Sequence, residues 1–181
     1  MTQEAEEMLC LRTFSEEATF DLGRALGAAI LTEAALGVTV LLSGDLGAGK
    51  TTLVRGVGCV LGATRVRSPS FTLINEYHTI NLPIVHVDLY RLEPNGVGDL
   101  GLEEYHENPC VLLVEWAERW EYRKHASSDV LEVFIESVSE NARAFKISSR
   151  GRRADLVFQN LREAVKDGKT YSGVGLQLAL D

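Results

Sequence analysis

Eight consecutive residues, Gly44-Asp45-Leu46-Gly47-Ala48-Gly49-Lys50-Thr51, carry the spacing G-x-x-x-x-G-K-[ST]. That spacing has a physical reason. Gly44, Gly47 and Gly49 let the backbone curl tightly, partly at positive φ. The curl turns successive N–H groups of Gly47, Ala48 and Gly49 inward as an anion nest. A helix starting immediately afterwards adds the positive end of its dipole. In such a loop Lys50 reaches the β- and γ-phosphates of a nucleoside triphosphate and the Thr51 hydroxyl ligates Mg²⁺. Thr52 stands where it can donate to the α-phosphate. The motif does not say which nucleoside is bound or what its energy is used for.

A loop of this kind needs a carboxylate near the metal, commonly at the end of a neighbouring strand. The segment Ile84-Val85-His86-Val87 ends in Asp88, and the cleaner apolar run Cys110-Val111-Leu112-Leu113-Val114 ends in Glu115. Both acids are expected at the C-terminal edge of a sheet, where ligands of open α/β sheets bind. Either could instead be a solvated strand-end acid. His86, alone within its strand, reads as a packed residue rather than a catalyst. Trp116 could be a core residue or a contact surface, and bare sequence favours core. Ser68-Pro69-Ser70-Phe71 is either a simple turn or a loop whose hydroxyls sense a γ-phosphate or metal.

These residues need elements to position them. Ser15 is a suitable helix N-cap, with Glu16 and Glu17 in the first turn. Ala18, Leu22, Ala25, Leu26, Ala29 and Ile30 then recur at helical spacing, with Gly37 as the expected stop. Residues 38–42 form a nearly unbroken apolar run that suits a strand buried on both faces. A helix is expected over 51–61, closing at Gly62. Two strands are expected at 72–77 and 84–90, joined by a turn at Asn81 and Pro83. A loop follows at 93–101, then a buried strand at 110–114. Residues 130–138 and 144–148 read as a strand pair, and 154–166 as a closing helix. The order of 169–181 is left open. The fold class is α/β: a mostly parallel central sheet of the P-loop NTPase kind, flanked by helices, with an antiparallel strand pair.

Composition narrows the class. The 181 residues are 45% hydrophobic and 24% charged, the balance of a globular protein. The net charge of −8 disfavours autonomous binding to nucleic acid. Arg150, Arg152 and Arg153 are the one dense basic group. Cys10, Cys59 and Cys110 are scattered and odd in number, without metal-ligand spacing, and read as small buried hydrophobes in a reducing compartment. The acidic first eight residues lack the pattern of a signal peptide, and no apolar stretch is long enough for a membrane span. A cytoplasmic protein with no membrane partner is expected.

Four segments taken together resemble the TsaE (YjeE) family: Gly44 through Thr52, Ser68-Pro69-Ser70-Phe71-Thr72-Leu73, His86-Val87-Asp88-Leu89-Tyr90-Arg91, and Val114-Glu115-Trp116. The resemblance covers residues 10–148, and the helix and tail of 150–181 lie beyond it within one P-loop ATPase domain of 1–181. It implies an ATPase needed for threonylcarbamoyl modification of adenosine 37 (t6A) in tRNA. Such proteins hydrolyse ATP weakly alone and act with TsaB and TsaD, meeting tRNA only through that complex. By position, the resemblance makes Lys50 the phosphate lysine, Thr51 and Glu115 the magnesium residues, and Asp88 an acid required for activity. Ser68 falls in the first switch, and Trp116 beside the site. Arg143 borders the nucleotide and Glu16 marks the segment touching the base. Ser70 departs from the family's usual threonine but keeps the hydroxyl.

Rival readings use the same loop. A small nucleoside or nucleotide kinase would need an acceptor site and often an arginine lid, for which Arg150, Arg152 and Arg153 are the available residues. A GTP-driven switch would need the Asn-Lys-x-Asp guanine motif, which is absent. A non-catalytic nucleotide-sensing adaptor would carry the loop without turnover.

Overall fold

The nearly unbroken apolar run before the phosphate loop is the middle of the sheet. In the computed structural model, which describes residues 7–33, 37–93, 97, 100–106, 109–120, 129–166 and 176–178, it forms β2 (Val38–Ser43). On one side of it lies β5 (Val111–Glu115) and on the other β6 (Val130–Ser137), both parallel to it. Strand β4 (Ile84–Asp88) adds in parallel outside β5. Of these four parallel strands, β4, β5 and β2 are buried along nearly their whole length, as near-continuous apolar runs predict, whereas β6 alternates buried and exposed residues.

Antiparallel strands complete the sheet at both edges. β3 (Ile74–Tyr77) pairs with β4. β7 (Arg143–Arg150) returns beside β6, followed by β1 (Met8–Thr13) and β8 (Leu176–Leu178). The order is β3-β4-β5-β2-β6-β7-β1-β8. The expected strand pair is therefore part of a larger antiparallel wing that draws in the N-terminal segment and residues 176–178 of the tail.

Three helices, α1 (Glu16–Thr32), α2 (Lys50–Leu61) and α3 (Arg152–Lys166), bury their apolar stripes against one face of this sheet. Leu22 and Leu26 from α1, Leu53 and Val57 from α2, and Phe158 and Leu161 from α3 meet Val40, Leu42, Leu113 and Val133 there. The opposite face carries no long helix among the described residues. Leu41, Val87, Leu112 and Val114 are covered instead by Leu89, Val97, Leu102, Ala117 and Trp120, from the segments that follow β4 and β5.

Local signals act as their chemistry dictates, with some differences. The Ser15 side chain accepts the Ala18 N–H at 3.0 Å, capping α1. That helix stops at Thr32 rather than running to Gly37. Gly37 instead turns the chain into β2 at φ +73°, where a Cβ would lie 2.5 Å from the Cys110 carbonyl. Helix α2 closes at Gly62, in the left-handed conformation. None of the three cysteines is fully buried: Cys10 and Cys110 are half-buried and Cys59 is exposed, so they are not core hydrophobes. No described helix is long and apolar enough to cross a membrane. The readings for residues 1–6, for 94–96, 98 and 99 of the loop at 93–101, and for 169–175 and 179–181 of the tail fall outside the described residues.

The site depends most on how α1 meets α2. They cross backbone to backbone at two glycines. A Cβ on Gly23 would stand 2.2 Å from the Leu53 carbonyl oxygen, and one on Gly56 would stand 2.2 Å from that of Phe20. Neither obstacle is a side-chain end that can swing away. Helix α1 therefore sets the position of α2, whose first residue is Lys50. Gly23→Ala should gain roughly 1 kcal/mol in helix propensity but lose more to the forced separation, for a net destabilisation of about 1–3 kcal/mol. Urea denaturation measures this, and an unchanged or raised midpoint would show slack in the crossing.

Candidate functional site

Helix α2 begins without a side-chain cap. Its N-cap is Gly49, in the left-handed region at φ +104°. Gly44 and Gly47 also have positive φ, so all three loop glycines take conformations that favour glycine. An uncapped N-terminus leaves N–H groups for a ligand to satisfy. The loop and the first turn of α2 wall a cleft of about 360 Å³, closed on the far side by Ser68, Ser70, Asp88, Tyr90, Arg91, Glu115 and Trp116.

Lys50 is 4% exposed. Its Nζ donates to the carbonyls of Gly44 at 2.5 Å and Asp45 at 2.9 Å and lies 3.8 Å from the centre of the Trp116 ring. Burial lowers its pKa from the ordinary 10.5, against the opposing pull of Glu115, Glu118, Asp88 and Asp45. The site thus holds a partly desolvated cation, placed to face an anion in the cleft. Trp116 follows β5 at φ +60°, an uncommon conformation for a non-glycine residue. Between its two readings, core and contact surface, Trp116 is half-buried: it packs against the core on one side, and its ring covers Lys50 and packs on Tyr90 at 4.9 Å between centres.

Asp88 and Glu115 occupy paired positions on the adjacent parallel strands β4 and β5, 4% and 2% exposed. The reading of either as a solvated strand-end acid is therefore excluded. Each has its own donors. Glu115 Oε2 accepts the Thr51 hydroxyl at 2.9 Å, and Oε1 accepts from His86 Nε2 at 2.8 Å. Asp88 Oδ2 accepts from Ser68 at 2.6 Å and Ser70 at 3.1 Å, and Oδ1 accepts the Tyr90 N–H at 3.0 Å. The segment at 68–71 is thus tied to a carboxylate of the cleft. Among the described residues no group of three or more His, Cys, Asp or Glu side chains forms a metal cage. The Thr51 hydroxyl beside a carboxylate is the hard-oxygen set Mg²⁺ takes when phosphates and water supply the remaining ligands.

The remaining predicted residues gather in a second, adjoining cleft. It is about 300 Å³ and is lined by Glu16, Thr52, Arg143, Gly47 and Gly49, with Ser15, Thr19, Glu140 and Asn141. Gly47, Gly49 and Thr52 line both clefts. Ala48 lines the first and is buried. The Arg143 guanidinium donates to the carbonyls of Ser139, Glu140 and Ala142 and, at 3.3 Å, to that of Gly47. It therefore joins the β6–β7 turn to the phosphate loop. Exposed Glu16 pairs with Arg55 at 3.5 Å. The structure thus brings together every predicted site residue.

Tyr90 and Arg91, which the sequence reading included in a family-like segment without assigning them a role, line the first cleft. His86 is buried and hydrogen-bonded, as its reading as a packed residue expects, but its partner Glu115 was not foreseen. The signal for His86 was available, because it lies two positions before Asp88 and so shares its strand face.

A glycine-rich loop between a buried parallel strand and an uncapped helix, with acids at the ends of the neighbouring strands, defines a protein of the α/β P-loop class. The sequence family described as "Threonylcarbamoyl adenosine biosynthesis protein TsaE" matches residues 13–145. The chain belongs to the TsaE family. It is 42% identical over 142 residues to the tRNA threonylcarbamoyladenosine biosynthesis protein TsaE of a Nostoc species, covering 76% of this chain and 85% of that one. It is 40% identical over 126 residues to the Bacillus subtilis protein of the same name, covering 69% and 78%. The crystal structure of Bacillus subtilis YdiB superposes with a TM-score of 0.71 at 30% identity, covering 89% of this chain and 98% of that one.

The two serines on Asp88 can be tested by removal. Ser68→Ala leaves Ser70 within reach of Oδ2, so the single change should cost little. The double change Ser68→Ala with Ser70→Ala strips both side-chain donors from that buried oxygen and should cost about 1–3 kcal/mol. Chemical denaturation of both variants measures it, and equal stabilities would show that the serines do not support the acid.

Proposed function

We propose that this chain is a Mg²⁺-dependent ATPase that serves threonylcarbamoyladenosine formation on tRNA, acting with the TsaB–TsaD pair. The observation that carries the reading is the junction of loop and acids: a buried lysine on the phosphate loop, with Thr51 hydrogen-bonded to Glu115 across one cleft. Family membership adds the tRNA context, through relatives named for that biosynthesis.

The residues divide the work as follows. The nest of Gly47, Ala48 and Gly49 and the open start of α2 bind the phosphate chain. Lys50 supplies fixed positive charge where charge develops in the transition state. Thr51 and Glu115 would hold Mg²⁺, which would supply neutralising charge to the phosphate oxygens. Asp88 stands beside Glu115 as a further acceptor, able to orient a water through its proton. The second cleft, with Glu16 and Arg143, adjoins the Thr52 end of the loop and suits the nucleoside. Ser68 ties the 68–71 loop to Asp88, so that loop can respond to nucleotide state. Phe71 is 86% exposed beside Ser70, and Leu46 is 71% exposed on the phosphate loop. Both are available to a partner at the cleft. A protein of this family is expected to work in the cytoplasm, where tRNA is modified.

The kinase reading loses its lid. Arg150 pairs across the sheet with Val130, which pairs with Thr39, whereas the phosphate loop follows Ser43 at the other end of β2. Arg153 is engaged by Asp129: its backbone N–H donates to Oδ1 at 2.7 Å, and its guanidinium forms an ion pair with Oδ2 at 3.7 Å. This basic group belongs to the opposite end of the sheet.

Lys50→Ala should leave the fold intact and reduce ATP turnover by about 10²–10³-fold, the scale of losing one preorganised charge-stabilising group. Near-normal hydrolysis by the folded variant would remove the proposal. Wild-type turnover should rise when purified TsaB–TsaD is added, and the complex should form more tightly with an ATP analogue than with ADP. By linkage, that analogue must then bind more tightly within the complex. Gel filtration and calorimetry read both effects. Phosphoryl transfer to a nucleoside acceptor would restore the kinase reading.

A further inference from the structure

His86 is fully buried in β4, on the strand face that also carries Ile84 and Asp88. Its ring makes one polar contact among the described residues, from Nε2 to Glu115 Oε1 at 2.8 Å. Nδ1 is buried and has no hydrogen-bond partner there. These contacts assign the tautomer. A carboxylate oxygen only accepts, so Nε2 carries the proton. Nδ1 is then a bare lone pair, which is easier to bury unpaired than a second N–H.

Glu115 has neighbours that would disturb it. Asp88 stands at the paired position on β4 and repels it. The Lys50 ammonium attracts it. A glutamate has three side-chain torsions, so a single hydrogen bond to Thr51 leaves it free to swing toward the lysine. The second bond, on the other oxygen, removes that freedom. We propose that His86 is the positioning residue of Glu115: its Nε2–H holds Oε1 so that Oε2 remains beside the Thr51 hydroxyl, where the metal binds. The inference rests on the reading of Thr51 and Glu115 as the Mg²⁺ pair and extends it by one residue. Partners that orient metal-binding carboxylates set metal affinity without touching the metal.

The test separates positioning from packing. Binding of a non-hydrolysable ATP analogue is titrated against Mg²⁺ and, separately, in EDTA, for wild type, His86→Leu and His86→Gln. His86→Leu keeps comparable bulk and removes the donor, and His86→Gln restores an N–H at similar reach. The Mg²⁺ concentration for half-maximal effect should rise about 10- to 100-fold in His86→Leu and return close to wild type in His86→Gln. Affinity in EDTA should be unchanged in both. Wild-type Mg²⁺ dependence in His86→Leu would overturn the inference, as would an equal loss with and without metal, which marks a packing role. A wild-type protein indifferent to Mg²⁺ would overturn the proposed function along with it. If His86→Leu does not fold, the wild type carries the test through ¹⁵N spectra of its histidine rings. Nε2 should be protonated, Nδ1 bare, and the Nε2–H signal should move when Mg²⁺ joins the analogue complex. A ring protonated at Nδ1 alone would overturn it.

Discussion

Two buried carboxylates at paired positions on adjacent strands are an arrangement that a fold must support. Asp88 and Glu115 stand side by side on β4 and β5, and almost no solvent reaches either. Like charges directly opposite one another destabilise a sheet, and buried charges demand hydrogen bonds. The surrounding chain answers that demand. Ser68, Ser70 and the Tyr90 N–H serve Asp88, and Thr51 and His86 serve Glu115. Lys50 adds a compensating cation whose own burial lowers its pKa. Such a cluster is costly in a ligand-free protein and well matched to a polyanion with a divalent cation.

The same two acids connect segments far apart in the chain. Glu115 is bonded to the first turn of α2 through Thr51, and Asp88 to the 68–70 loop through two serines. The start of α2 and the 68–70 loop are therefore joined through one pair of neighbouring strands. Uncommon backbone conformations flank this path, with Leu73 at φ +65° and Trp116 at φ +60°. Leu73 accepts the Asp88 N–H at its carbonyl and donates its own N–H to Pro69. Trp116 turns its ring over Lys50. Unfavourable backbone regions cost energy and persist where the surrounding structure enforces them.

Delivery of these residues depends on helix packing as much as on the sheet. Placing β2 between β5 and β6 brings the phosphate loop beside Glu115, and the glycine crossing of α1 and α2 fixes where Lys50 and Thr51 begin their helix. The β6–β7 turn then meets the loop from the other side through Arg143 and Gly47. The antiparallel wing thus supplies one wall of the second cleft, and the parallel centre supplies the first.

Much of this was legible in the chain alone. The glycine spacing before Lys50 can be read because it encodes a local backbone path, and local geometry needs no distant partner. Residues 38–42 and 110–114 announced buried strands because runs without alternation must be covered on both faces. Ser15 announced a cap for the same local reason. What escaped depended on contacts between segments distant in sequence. The close approach of Gly23 and Gly56, the placement of Trp116 over Lys50, and the bond from His86 to Glu115 each join residues that only the sheet order or the helix crossing makes neighbours. The division of Asp88 and Glu115 between separate sets of donors could not be read from two similar strand ends. The sequence by itself determined that a phosphate loop and two acids were present. Only the tertiary structure decided which donor each acid received, because hydrogen bonds form between atoms brought within about 3 Å, and that proximity comes from strand pairing and helix packing.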